Sequence, residues 1–131
     1  MPKSKPKLNF LIVCETAFPS QEGNLNIIGI FENVFAPNFP AIHPKMTIVF
    51  NVSGNIGEYA FDLSIKGPDK KEIIPSVRGG FNIAGQNTKF GFIGNLVNLK
   101  FTTEGTYSVD LSINDRLIGR TQFRVAKLFS R

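Results

Sequence analysis

The sequence predicts an all-β domain: an antiparallel β-sandwich, Greek-key and immunoglobulin-like in general architecture, with eight or nine short strands. Three observations predict it. Apolar and polar residues alternate over much of the 131-residue chain, and no helical period appears. Turn signals made of Gly, Pro, Asn and Asp recur at short intervals. Residues 105–125, GTYSVDLSINDRLIGRTQFRV, read as a Gly-x-Tyr entry followed by a hairpin, the way many sandwiches close. A closed barrel is the runner-up.

Residues 8–15 form the first run. Leu8, Phe10, Ile12 and Cys14 lie on one side, Leu11 and Val13 on the other. Two apolar faces predict a central strand, or one covered on both sides. Pro19, Gly23 and Asn24 turn the chain into a second strand at 25–31, with Gly29 as a candidate bulge. Residues 33–45 are the least regular stretch. Pro37, Pro40 and Pro44 forbid a sustained ladder or helix, so this reads as a long connection that changes sheets. Met46, Ile48, Phe50 and Val52 then alternate with Thr47, Val49 and Asn51, and Tyr59, Phe61, Leu63 and Ile65 with Ala60, Asp62 and Ser64. Ile73-Ile74 and residues 80–83 read as shorter edge strands beside Pro75. Residues 88–93 give another strand, and residues 96–101 are apolar but irregular.

Parity tests the closing hairpin. A plain two-residue turn at Asn114-Asp115 would set Val109 against Arg120 and Tyr107 against Gln122. A three-residue loop, Asn114 to Arg116, sets Leu111 against Gly119, Val109 against Thr121 and Tyr107 against Phe123, with Asp110 opposite Arg120 on the wet face. A two-residue turn with a bulge near Gly119 restores the same register. In both, Phe123 is buried and Arg120 and Arg124 are exposed. Tyr107 stands where a Greek-key sandwich bonds a tyrosine hydroxyl back to its own main chain.

The length holds one domain with a real core, expected over residues 8–128, after a basic disordered tail at residues 1–7. Thirteen Phe, two Tyr and no Trp favour core filling over ligand recognition. Net charge is +5, dispersed apart from Lys3, Lys5 and Lys7 in the tail, Lys70-Lys71, and Arg120 with Arg124. Dispersed charge of this kind mostly means solubility. The single Cys14 excludes an intramolecular disulfide and a thiolate zinc cage, and suits a reducing, cytoplasmic compartment. No apolar run reaches the ~20 residues of a membrane-spanning helix.

Chemical motifs are scarce. His43 is the only histidine, so no two-histidine metal site exists, and it reads as a loop imidazole at the surface or packed on a proline. There is no Gly-x-Ser-x-Gly elbow. Cys14 lies in an apolar strand, where thiols are usually inert. Residues 80–85 have phosphate-loop spacing, but Gln86-Asn87 stand where Lys and Ser/Thr are needed. The ten carboxylates are scattered. No catalytic residue, metal ligand or cofactor is therefore expected. The best candidate for an interaction surface is residues 34–44, VFAPNFPAIHP, with Phe35, Phe39, Ile42 and His43. The competing reading, in which these residues cap one open end of the sandwich, is the stronger of the two. A second candidate is a basic face of Arg116, Arg120 and Arg124.

LNFLIVCETA, the G-x-LNIIG-x-F strand, the APNFPAIHP connection and the G-x-Y…F-x-V hairpin together resemble a family of small uncharacterised bacterial all-β domains of unknown function. The likeness covers nearly all of the chain after the tail, and the lysine-rich tail departs from it. It implies a bacterial, cytoplasmic all-β domain and brings no activity or site. The expected function is a non-enzymatic protein-interaction or structural module whose partner is another protein. The alternative is a nucleic-acid-binding β-domain that uses the basic tail and the arginine face.

Overall fold

The computed structural model of the chain describes residues 6–85 and 88–128. Residues 1–5, with Lys3 and Lys5 of the expected tail, Gln86-Asn87 and residues 129–131 lie outside them. The described residues form nine strands: β1 (Lys7–Pro19), β2 (Leu25–Ile30), β3 (Asn33–Ala36), β4 (Ala41–Ser53), β5 (Gly57–Lys66), β6 (Val77–Ile83), β7 (Lys89–Phe101), β8 (Gly105–Ile113) and β9 (Arg116–Lys127). They pack as two sheets, in the orders β2-β1-β4-β7 and β3-β9-β8-β5-β6. Every pairing is antiparallel except β3 with β9, which is parallel. The chain crosses between sheets from β2 to β3 and back from β3 to β4, so the proline-rich stretch does change sheets.

The inward residues of the alternating runs meet between the sheets. Met46, Ile48, Phe50 and Val52 of β4 face Tyr59, Phe61, Leu63 and Ile65 of β5, with Tyr107, Val109, Leu111, Phe123 and Val125 beside them. Phe50 is wholly buried, with its ring 5.2 Å from both Phe61 and Phe92. Burying such a side chain contributes roughly 1.5–3 kcal/mol. β1 lies between β2 and β4, as its two apolar faces predict. Leu11 and Val13 enter the main core, while Cys14, Ala17 and Val49 form a second cluster roofed by Phe10, Ile12, Ile27 and Ile93.

Several expectations change. Residues 33–45 are not one irregular connection. They supply β3, a cis Phe39-Pro40 turn and the first third of β4. Residues 88–93 and 96–101 are one long strand, β7. The irregularity there has a cause. The inward set of β4 is even-numbered from Met46 onward, but Ala41 and His43 pair with the inward Phe101 and Leu99. β7 changes parity in step, from Phe92 and Leu96 to Leu99 and Phe101, across Asn98 at φ 53°. A left-handed residue reverses the side-chain alternation of a strand, and Pro44 stands at the matching place in β4. Ile73 and Ile74 do not form a strand; a single bridge, Lys66 with Glu72, precedes them. Gly29 makes no bulge, for the β1–β2 register is unbroken. Its φ of 72° and the Glu15 side chain lying across it explain the glycine. The break in β1 falls between Leu8 and Phe10.

The closing hairpin adopts the bulged form rather than the three-residue loop. Asn114 and Asp115, at φ 49° and 65°, make a two-residue turn of the kind that matches strand twist. Ile113 pairs with Arg116, the register shifts, and Leu111 then pairs with Gly119, Asp110 with Arg120 and Tyr107 with Phe123. Asn114 locks this turn to β5 by donating its backbone N–H to the Ala60 carbonyl at 2.8 Å and accepting the Ala60 N–H on its side-chain oxygen at 3.0 Å.

Candidate functional site

The candidate interaction loop divides in two. Phe35 points outward from edge strand β3 and is 60% exposed; Ile42, at the start of β4, is 66% exposed. Phe39 packs on the main core instead, and His43 sets its ring edge-on to Phe31 at 5.3 Å and 6.2 Å from Phe101. His43 is thus a half-buried imidazole held between rings. The exposed pair flanks a groove of about 420 Å³ whose walls include Pro37, Pro40 and Pro44 and whose floor includes Phe101. Prolines make the backbone here rigid. The arrangement offers shape and apolar surface, with the His43 imidazole in its lining.

The expected basic face also divides. Arg120 and Arg124 pair with Asp110 and Thr106, the outward positions of β8, whereas Arg116 pairs with Ile113, an inward position. The bulge after Leu117 separates them. Arg120 clamps Asp110 through two bonds, Nε to Oδ1 at 2.6 Å and Nη2 to Oδ2 at 3.0 Å, and Lys66 lies 3.6 Å from Oδ2. Asp110, expected on the wet face, is only 5% exposed, because Arg120 lies over it. The hydrogen bond from Arg120 holds its carboxyl below the usual range, against the opposing effect of burial.

Beside this cluster lies a hollow of about 290 Å³ on the outer face of the five-stranded sheet. Lys66, Lys70, Arg120, Thr106, Ser108 and Gln122 line it. A second outer hollow, near 650 Å³, is floored by Ala60, Gly79 and Gly80 and edged by the Arg78–Asp62 ion pair at 2.9 Å. Ser112, Asn114 and Asp115 also line it. Among the described residues no three His, Cys, Asp or Glu side chains cluster as a metal site requires. Among the described residues no helix is long and apolar enough to cross a membrane. Cys14 is fully buried, and burial raises its thiol pKa above the ordinary value, with Lys45 opposing.

Tyr107, next after Gly105-Thr106, donates its hydroxyl to the Thr103 carbonyl at 2.7 Å, the tyrosine corner its position predicts. Tyr59, next after Gly57-Glu58, does the same to the Asn55 carbonyl at 2.7 Å. This second Gly-x-Tyr was visible in the sequence and carries the same signal. The polar hollow was missed because its lining comes from β5, the turn after it, β8 and β9; only the alternation of β8 and β9 hinted at half of it.

Two sheets in these orders, with β3 parallel to β9 and a tyrosine corner at the start of β8, define an immunoglobulin-like β-sandwich. The chain belongs to the family of unknown function DUF6941, whose model matches residues 9–126. No curated protein matches the sequence. An immunoglobulin-like protein from Pseudomonas aeruginosa is similar in structure, at 15% identity and a TM-score of 0.50, covering 94% of this chain and 98% of its own. The alkylpurine DNA glycosylase AlkC of Pseudomonas fluorescens, solved bound to DNA containing an abasic site analogue, matches at 10% identity and a TM-score of 0.55 over 92% of this chain. A β-glucosidase from Listeria innocua, in complex with isofagomine, matches at 6% identity and a TM-score of 0.54 over 96% of it. The chain spans 30% of the glycosylase and 17% of the glucosidase. These likenesses show the fold.

Proposed function

We propose that the domain is a non-enzymatic protein-interaction module that receives an apolar side chain of a partner in the groove between β3 and β4. The observation that supports this most is the pair Phe35 and Ile42, each exposed by 60% or more on either side of a proline-walled groove. Large apolar groups held outward by a rigid backbone lose little conformational entropy on binding. Phe39 and His43 support the groove from below, by packing on the core and on Phe31. The test compares the partners captured by the wild type and by Phe35→Ser/Ile42→Ser, with equal melting temperatures verified first. Phe39 is left intact because its removal would perturb the core. A partner set retained in full by the double variant would sink the proposal.

The nucleic-acid alternative has less support. Arg116 lies apart from Arg120 and Arg124, so the three do not form one basic face. The glycosylase was solved with DNA, but at 10% identity that ligand does not transfer.

A further inference from the structure

We propose that the polar hollow on the outer face of the five-stranded sheet is a phosphate-binding site for a phosphorylated side chain of the protein partner; this rests on the reading above. Lys66, Lys70 and Arg120 line the hollow together with Thr106, Ser108 and Gln122. Asp110 is the carboxylate beneath it, and Arg120 and Lys66 cover it. Asp69, close in sequence, lines the neighbouring hollow with Tyr107, and its Oδ1 accepts the Lys71 N–H at 3.1 Å. Glu72, the bridge partner of Lys66, lines that neighbouring hollow too and accepts the Ser76 hydroxyl. Within the lining of the phosphate hollow itself, three cations against the Asp110 carboxylate beneath leave a surplus of two positive charges. A phosphate monoester carries about −1.5 to −2 charges near neutrality. A carboxylate would match half of that surplus, and two hydroxyls and an amide add neutral donors that suit a tetrahedral anion.

The donors are already aimed. Arg120 commits Nε and Nη2 to Asp110, so its guanidinium plane is fixed while its remaining N–H groups stay available. Its side chain is 50% exposed and that of Lys66 36%. Asp110 therefore acts as a positioning residue that pre-orients two cations, lowering the entropy lost on capture. Lys70 stands on the turn after β5 with φ 68°.

Strand pairing sets the distance between the hollow and the apolar groove. Arg124 pairs with Thr106 on one side and with Asn33 of β3 on the other, and Phe35 lies two residues beyond Asn33. Two strand spacings sideways and two residues along give a span of about 12 Å from Thr106 to Phe35. An extended peptide covers that in roughly four residues. The partner segment is thus expected to carry a large apolar residue about four positions from the phosphorylated one.

The test uses the full chain, isotope-labelled for amide NMR, at fixed ionic strength. The probes are inorganic phosphate, a phosphoserine peptide with leucine four residues away, its unphosphorylated twin and a single-stranded oligonucleotide. Inorganic phosphate is expected to shift Thr106, Ser108, Gln122 and the 67–70 turn saturably. Lys70→Gln, which leaves the Asp110 cluster intact, is expected to weaken both phosphate and phosphopeptide by about fivefold to tenfold, one charge-assisted hydrogen bond at a partly exposed site. Phe35→Ser is expected to weaken the peptide alone; if it does not, the groove reading fails and the phosphate site stands. Sodium chloride reproducing the shifts, an unphosphorylated peptide binding equally, or Lys70→Gln without effect would overturn the site. An oligonucleotide binding more tightly than the phosphopeptide would overturn the assignment of its ligand.

Discussion

Replacing Tyr107 by phenylalanine removes one hydroxyl and keeps the ring. That ring is 1% exposed, stacked 5.7 Å from Phe123 and edge-on to Phe101 at 4.9 Å, and it remains so in the variant. The loss is the 2.7 Å bond to the Thr103 carbonyl. Thr103 is exposed, so water can take the vacated lone pair. The cost is then the ordinary net value of a neutral hydrogen bond, about 1 kcal/mol. For a chain of this size that is a fall in Tm of roughly 3–5 °C. Urea unfolding at pH 7 measures it, with an unchanged m-value. The pH dependence adds a second requirement. Burial is the first cause raising the Tyr107 pKa above its ordinary value. A raised folded pKa contributes stability that is present below the ordinary tyrosine range near 10 and is lost as pH rises through the folded value. The phenylalanine variant has no phenolic proton to lose. The gap between wild type and Tyr107→Phe must therefore narrow from pH 7 to pH 11. A gap under about 0.3 kcal/mol at pH 7 would refute the corner as a stabilising contact, and one that stays constant to pH 11 would refute the raised phenol pKa.

Three more outcomes follow from the same geometry. Asp110 has a lowered folded pKa, so its contribution is present above the ordinary aspartate range near 4 and is lost as pH falls through the folded value; Asp110→Asn should show a flatter acid limb in unfolding curves taken from pH 7 to pH 2. Gly105 has φ +144° and its added Cβ would meet the ring of Pro68, so Gly105→Ala should destabilise by about 1–3 kcal/mol, read by denaturant midpoint. Cys14 is fully buried with a raised thiol pKa, so a disulfide-exchange reagent should leave the native protein unlabelled for hours and react once denaturant unfolds it; fast labelling of the native state would contradict the packing of the second cluster.

The readable parts were those in which one strand obeys one rule. Residues 46–52, 59–65 and 107–113 alternate without interruption, so their inward sets could be named before any partner strand was known. The hairpin register followed from requiring Phe123 to meet an inward neighbour, although the choice between an odd loop and a bulge depended on Asn114 and Asp115 both adopting positive φ. Where alternation broke, the reading broke with it. Pro44 and Asn98 reverse the parity of two paired strands at the same place, and that pairing joins residues more than fifty apart in sequence. Neither strand alone shows why the break is tolerated. The four residues of the candidate loop looked alike in the sequence, and only packing separated exposed Phe35 and Ile42 from supporting Phe39 and His43.

By itself the sequence determined the all-β class, the inward face of each regular strand, the tyrosine corner and the exposure of Arg120 and Arg124, because each follows from local period and steric rules. Tertiary structure alone decided the parallel pairing of β3 with β9, the burial of Asp110 under Arg120, and the meeting of Lys66, Lys70 and Arg120 around one hollow. Those features depend on which strands become neighbours, and neighbour choice is set by burial of the whole apolar surface rather than by any one segment.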